Sequence, residues 1–171
     1  MAEKDIILVD EQDNEIGGGE KLKVHQEGKL HRSFSIFIFN SNKQLLLQKR
    51  AKSKYHSGGL WSNTCCSHQR PNQDLAEEAK RRLFEEMGME CDLKEVFSFT
   101  YKANLGQMIE NEFDHVFIGK FDGNPQPNKN EVEDWKWVNP KQLGMEIEKH
   151  PDNYTIWFKL IFDRVFKYVG Y

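Results

Sequence analysis

The chain has 171 residues, about the length of one domain, with 24 Lys plus Arg against 27 Asp plus Glu and a formal charge of −3. A balance so near neutral argues against a general nucleic-acid binder, which carries a basic excess, while 12 Phe and 4 Trp argue for a packed core over disorder. The longest apolar run, Ile36 to Phe39, is far short of the roughly 20 residues that cross a bilayer, so no membrane partner is expected.

Asp5 to Asp10 reads as a strand, closed by a polar turn and a break at Gly17-Gly18-Gly19. Ser33 to Phe39 and Lys43 to Gln48 read as a hairpin around Asn40-Ser41-Asn42. Lys49 to Gly59 is basic and then glycine-containing, a surface loop; Leu60 to Cys66 is extended. Leu75, Ala79, Leu83 and Met87 recur every four residues and predict a helix, with Asn72 or Asp74 to cap its start and Gly88 to end it. Val96 to Ala103, Ile109 to Phe121 and Val132 to Val138 read as strands, with a loop from Asp122 to Asn130 between the last two. Ile156, Trp157, Leu160, Ile161 and Phe162 predict a second long helix after a Pro151-Asp152 start. Irregular interleaving of strands and helices favours an α+β fold, a mixed sheet flanked by helices, in one domain over residues 1–171.

Met1-Ala2-Glu3-Lys4-Asp5 does not read as a secretory leader, nor the C-terminus as a lipidation box. The three cysteines, two of them adjacent at Cys65 and Cys66, do not suit a disulfide framework. A reducing, cytoplasmic setting is the expectation.

The histidines carry more chemistry than the charge count. His25 and His31 precede the first long strand, and His68 follows Cys66 by two. Glu110 and Glu112 flank Asn111 within a predicted strand and so share a face; Cys66 and His68 do likewise if their segment is extended. Three imidazoles and two carboxylates make a candidate five-ligand site for Mn²⁺, Zn²⁺ or Mg²⁺, and the donor types do not choose among them. The helix from Glu77 to Gly88 is amphipathic, with Glu78 and Arg82, and Glu77 and Arg81, spaced for i, i+4 pairs. Lys21, Arg50 and Lys54 fall in predicted loops or strand ends and Arg82 on the outer helix face, all long enough to reach an anion.

Arg81-x-x-x-Glu85-Glu86-x-Gly88 resembles the end of the Nudix box, whose helix carboxylates hold Mg²⁺ against a diphosphate. Trp61-Ser62-Asn63-Thr64-Cys65-Cys66-Ser67-His68 is very close to the W-T-N-T-C-C-S-H run of the type I isopentenyl-diphosphate Δ-isomerases, metal-dependent enzymes on a Nudix fold. Further matches follow in family order: Lys21 and His25, His31, Arg50 and Lys54, the C-C-S-H run, Glu86, Tyr101, Glu110-Asn111-Glu112 and Trp157. There are departures. Gln69 stands where a proline often follows the run, and Tyr55-His56-Ser57-Gly58-Gly59 where the family tends to have an aromatic and Pro-Gly. Nudix pyrophosphohydrolases usually carry Arg-Glu-Leu at the box centre and a glutamate eight residues earlier; here Arg81-Arg82-Leu83 and Gln73 occupy those places, which demotes hydrolysis.

The resemblance implies a Nudix-type mixed sheet and interconversion of isopentenyl and dimethylallyl diphosphate. It implies that His25, His31, His68, Glu110 and Glu112 bind one divalent ion, Mn²⁺ or Zn²⁺. Glu86, the Cys66 carbonyl and the substrate diphosphate would hold Mg²⁺, and Lys21, Arg50, Lys54, Ser67 and Arg82 would contact substrate. Cys66 and Glu112 match the acid and base positions, with Tyr101 assisting Glu112 and Trp157 facing the tertiary carbocation. A monomer or weak homodimer is expected. Two rivals stand beside this reading: a Nudix-type diphosphate hydrolase, and a non-catalytic module that binds a diphosphate or metal.

Overall fold

In the computed structural model, which describes residues 5–170, the chain opens with β1 (Asp5–Val9) and β2 (Glu15–Glu20), paired antiparallel. Met1 to Lys4, the start of the stretch read above as no leader, and Tyr171 lie outside the described residues. Gly17-Gly18-Gly19 therefore lies inside a strand and does not break it. Pairing with β1 overrides low strand propensity, and the missing side chain is needed: a Cβ on Gly19 would meet Val24 Cγ2 at 2.7 Å. Val24 belongs to α1 (Lys21–Glu27), a helix too short for hydrophobic periodicity to reveal. Glu20 caps it by accepting from the Leu22 and Lys23 N–H groups, and Gly28 ends it at φ 63.

Strand β3 (His31–Phe39) is the axis of the molecule. It meets β4 (Leu45–Arg50) through the expected turn, where Asn40 Oδ1 accepts from the Gln44 N–H at 2.9 Å. The registered pairing of the two strands is Phe39 with Leu45 alone, so the hairpin splays. β3 pairs instead with β6 (Cys65–His68), and β4 with β5 (Trp61–Ser62) and β9 (Val132–Val138). After α2 (Leu75–Met87), capped by Asp74 and Gly88 as expected, β7 (Leu93–Leu105) and β8 (Met108–Lys120) form a long hairpin. β8 runs parallel to the whole of β3, from His31 beside Glu112 to Phe39 beside Lys120, which makes the sheet mixed.

Residues that alternate along β3 feed two cores. Phe34, Ile36 and Ile38 pack with Ala79, Leu83 and Met87 of α2. Phe37 and Phe39 face α3 (Pro140–Lys149) and α4 (Ile156–Val169), among them Leu143, Phe158, Phe162 and Val165. α3 escaped the sequence reading; Asn139 caps it and Pro140 opens it. Pro151-Asp152 begins a 3-10 turn (Pro151–Asn153) and not the tail helix, whose N-cap is Thr155. None of the helices among the described residues is long and apolar enough to cross a membrane.

This second face changes character along its length. On β3 the sequence moves from Ser33 and Ser35 to Phe37 and Phe39, and on β8 from Glu110, Glu112 and Asp114 to Val116. Half the face is core and half a buried polar floor. The functional site stands on the polar half.

Candidate active site

His25, on α1, is fully buried, with Nδ1 at 2.7 Å from the Lys21 carbonyl. His31, at the start of β3, places Nδ1 2.9 Å from the Lys29 carbonyl. With these nitrogens protonated and donating, both Nε2 lone pairs point inward, and neither has a hydrogen-bond partner. His68 Nε2 lies 3.1 Å and His31 Nε2 3.4 Å from Glu112 Oε1. Donor atoms of His25, His31, His68 and Glu112 all lie within 4.8 Å of one another. Glu110 joins them through His25, whose Nε2 is 3.5 Å from Glu110 Oε2, and through His56, which forms a second group with these two residues. Glu110 Oε2 is also without a hydrogen-bond partner. Unsatisfied buried nitrogens and carboxylate oxygens are costly unless a cation meets them. These donors fit a divalent ion.

Burial pushes the Glu112 carboxyl up, but with a proton on Nε2 the imidazoles of His31 and His68 outweigh it and hold the group well below the usual carboxylate range. Where His31 offers its Nε2 lone pair to an ion instead, the ion's charge would take over that role. Its other oxygen, Oε2, accepts from Tyr101 Oη at 2.7 Å and Ser33 Oγ at 2.9 Å. The Tyr101 phenol is pushed well above its ordinary value by burial and then by the charge of Glu112, so it donates and stays neutral. Cys66 comes from β6, on the other side of β3: it pairs with Ser35 there, whereas Glu112 on β8 pairs with His31. Its Sγ donates to Asn63 Oδ1 at 3.0 Å and lies 3.6 Å from Ser35 Oγ. Burial pushes this thiol up to about 12. A protonated thiol and an ionised carboxylate thus border one cleft.

The same cleft is lined by Lys21, Arg50, Lys54, Ser67, Arg82, Glu86 and Trp157. Arg82 corrects the sequence reading: it points inward and is buried, donating to Glu86 Oε1 at 2.5 Å and Glu85 Oε2 at 2.7 Å. The inner face of α2 is polar at this end because Gln48 on β4 answers it, donating from Nε2 to Glu86 Oε2 at 2.9 Å. Burial raises the Glu86 carboxyl, but the charges of Arg82 and Lys54 and the Gln48 hydrogen bond leave it lowered. Glu78 pairs with Arg70 and with Arg81, three residues on, and Glu77 with Lys80, while i, i+4 pairs on the same helix join Arg81 to Glu85 and Arg82 to Glu86. Lys54 forms an ion pair with Glu131 at the rim. Trp157, in the first turn of α4, donates from Nε1 to Ser62 Oγ at 3.0 Å, and its ring lies 5.1 Å from the Arg50 guanidinium.

Two residues here were not singled out by sequence. Asp114 follows Glu112 by two on the same face, a spacing that flags it once β8 is accepted; Ser35 Oγ donates to its Oδ2 at 2.7 Å. Burial and the neighbouring Glu112 push its carboxyl well up. His56 lies in a loop whose path over the cleft no local pattern announces. The Lys49–Gly59 stretch is accordingly only partly a surface loop: Lys49 and Arg50 end β4, and His56 turns inward.

The Nudix domain model matches residues 29–160. "Isopentenyl-diphosphate Delta-isomerase 2" of Aromatoleum aromaticum is 54% identical over 164 residues, covering 95% of this chain and 87% of the relative. The chain belongs to the isopentenyl-diphosphate Delta-isomerase family. The similarly named protein 2 of Photorhabdus laumondii is 55% identical over 91% of this chain and 89% of its own length. Among solved structures, DR0079 from Deinococcus radiodurans superimposes with a TM-score of 0.72 at 21% identity, over 85% of this chain and 89% of its own. The MutT protein from Methanosarcina mazei Go1 gives 0.68 at 19%, over 83% and 96%. These two likenesses speak for the Nudix fold alone. Membership of the isomerase family rests on the sequence relatives, and the Cys66, Tyr101, Glu112 and Trp157 cleft is where its chemistry is sought.

Proposed function

We propose that this chain interconverts isopentenyl and dimethylallyl diphosphate by adding a proton at one carbon of the alkene and removing one from another, as a step of isoprenoid biosynthesis. The reading is carried by one observation: a protonated thiol, Cys66, and an ionised carboxylate, Glu112, line the same cleft from strands on opposite sides of β3. A transposition of this kind needs a donor and an acceptor held apart across the substrate. Forward and reverse directions exchange the two roles. Tyr101 relays to or positions Glu112 through their hydrogen bond. Protonation of the alkene gives a tertiary carbocation, which water would trap; the indole face of Trp157 offers a quadrupole and no nucleophile.

Lys21, Arg50, Lys54, Ser67 and Arg82 are the proposed diphosphate and substrate contacts, with Arg and Lys meeting phosphate oxygens by charge-assisted hydrogen bonds. His25, His31, His68, Glu110 and Glu112 would hold one divalent ion, Mn²⁺ or Zn²⁺, and Glu86 with the Cys66 carbonyl a Mg²⁺ shared with the diphosphate. Such ions supply positive charge that keeps the carboxylates ionised and anchors the diphosphate. Residues 1–171 act as one domain, as a monomer or weak homodimer. A catalytic thiol suits a reducing cytoplasm.

Hydrolysis is disfavoured by Arg82, whose guanidinium occupies Glu86 where a hydrolase of this fold has a further carboxylate. Incubation with isopentenyl diphosphate and Mg²⁺ decides the matter. The allylic diphosphate should appear, with exchange of deuterium from heavy water into the carbon skeleton. Release of phosphate without allylic product would establish a hydrolase, and binding with neither outcome a non-catalytic module.

A further inference from the structure

His56 is held as the expected metal ligands are held. Its side chain, on the loop between β4 and β5, is 6% exposed. Nε2 lies 2.6 Å from Glu110 Oε1 but makes no aligned hydrogen bond. Nδ1 faces Ser57 Oγ at 3.2 Å, which can fix the proton there and leave the Nε2 lone pair inward. His25 and His31 show the same arrangement, Nδ1 on a backbone carbonyl and Nε2 unsatisfied. A hydrogen bond from the far nitrogen is how an imidazole is oriented towards a metal.

The donors fall into two groups that share His25: one with His31, His68 and Glu112, the other with His56 and Glu110. His25 Nδ1 is committed to the Lys21 carbonyl, so a single lone pair, on Nε2, serves both. It can hold one ion. Two separate ions would have to compete for it, whereas one ion drawing on both groups needs His56 and Glu110 to close on His31, His68 and Glu112, since the two sets do not all lie within 4.8 Å of one another.

We propose that His56 is a further ligand of that ion, added to the five expected, and that ion binding fastens the β4–β5 loop over the cleft. The proposal rests on reading the histidine cluster as a metal centre. Six nitrogen and oxygen donors exceed the four of a closed zinc site and suit an octahedral ion. The loop also carries Lys54, and at its root Arg50 donates from Nη2 to the His56 carbonyl at 3.3 Å. Fastening His56 would therefore set two of the cations proposed for the diphosphate. The ion would organise the substrate contacts without touching the substrate.

The experiment uses the full chain stripped of metal, titrated with Co²⁺ against a competing chelator, as wild type, His56→Ala and His56→Phe. The wild type should bind with the weak ligand-field absorption of six-coordinate Co²⁺. Both variants should bind at least roughly 10-fold more weakly, the low end of what losing even a supporting partner costs a metal site, and absorb more intensely as the coordination number falls. Co²⁺ should protect the 51–60 loop from proteolysis in the wild type and not in the variants. Unchanged affinity and spectrum in both variants would overturn the proposal, and equal loop protection would overturn the fastening. Failure of the wild type to bind Co²⁺ would remove the metal centre itself. His56→Phe keeps a ring in the loop's packing, so the comparison survives if His56→Ala does not fold.

Discussion

Tyr101 and Glu112 stand opposite one another across β7 and β8, joined by a 2.7 Å hydrogen bond from Oη to Oε2. The pairing is a consequence of register: a slip of one residue would turn Tyr101 to the other face of the sheet. Tyr101→Phe keeps the ring, which stacks on Phe99 at 5.5 Å, and deletes only the donor. Hydrogen bonds to charged groups contribute about 1.5–3 kcal/mol to stability, so Tyr101→Phe should lower the unfolding free energy by up to that much, and kcat should fall roughly 10- to 100-fold if the bond tightens in the transition state. A variant with wild-type kcat would reduce Tyr101 to a packing residue. Glu112→Gln, which keeps the shape and removes the base, should abolish turnover.

The state of Cys66 can be tested without substrate. A thiol pushed up to about 12 is protonated at neutral pH, and alkylation needs the thiolate. Iodoacetamide labelling of Cys66, followed by peptide mass spectrometry, should keep rising about tenfold per pH unit through pH 10. An ordinary thiol would level off beyond its pKa of about 8.5. A plateau near that value would show that Cys66 is not held protonated by burial. Cys66→Ala should retain the fold and lose activity.

Much of this site was legible because strands write their faces into sequence with period two. Glu110-Asn111-Glu112 and Cys66-Ser67-His68 each announce two side chains on one face by their spacing alone. The α2 helix was legible from its four-residue recurrence and both caps. What stayed hidden depends on partners distant in sequence. The Gly17-Gly18-Gly19 strand exists because β1 lies beside it, and the inward turn of Arg82 because Glu86 and Gln48 make a polar pocket under α2. His56 had no periodic element around it, and its place was set by Glu110 from the far side of the fold.

Glu78 shows what α2 contributes to stability. It is 3% exposed, and Arg70 and Arg81 each grip it with two hydrogen bonds of 2.7–2.9 Å. Burial pushes the carboxyl up, and the hydrogen bonds from Arg81 and Arg70 bring it below its ordinary value. A carboxyl depressed on folding contributes stability that is present above its unfolded pKa, about 4.3, and is lost as pH falls through the lower folded value. Glu78→Gln should therefore cost about 2 kcal/mol in urea unfolding at pH 7, on the scale of lost hydrogen bonds to a charged group. The gap from wild type should narrow as the pH is taken below about 4. A gap of the same size at both pH values would mean that Glu78 acts by shape alone.

Trp157 separates ring electrostatics from packing. The indole is 4% exposed, and the Arg50 guanidinium within 5.1 Å marks it as a surface that accepts a cation. A desolvated cation–π contact is worth about 2 kcal/mol or more, roughly 30-fold in rate if it forms only in the transition state. Trp157→Phe keeps an aromatic face but loses the Nε1 hydrogen bond to Ser62, so a moderate fall in kcat is expected, about tenfold. Trp157→Val removes the face altogether and opens a cavity. Its kcat should fall by a further 10-fold or more, measured well below the melting temperature of both variants so that lost packing does not enter the rate. Equal losses in the two variants would place Trp157 with the core residues of α4 and leave the carbocation to some other group in the cleft.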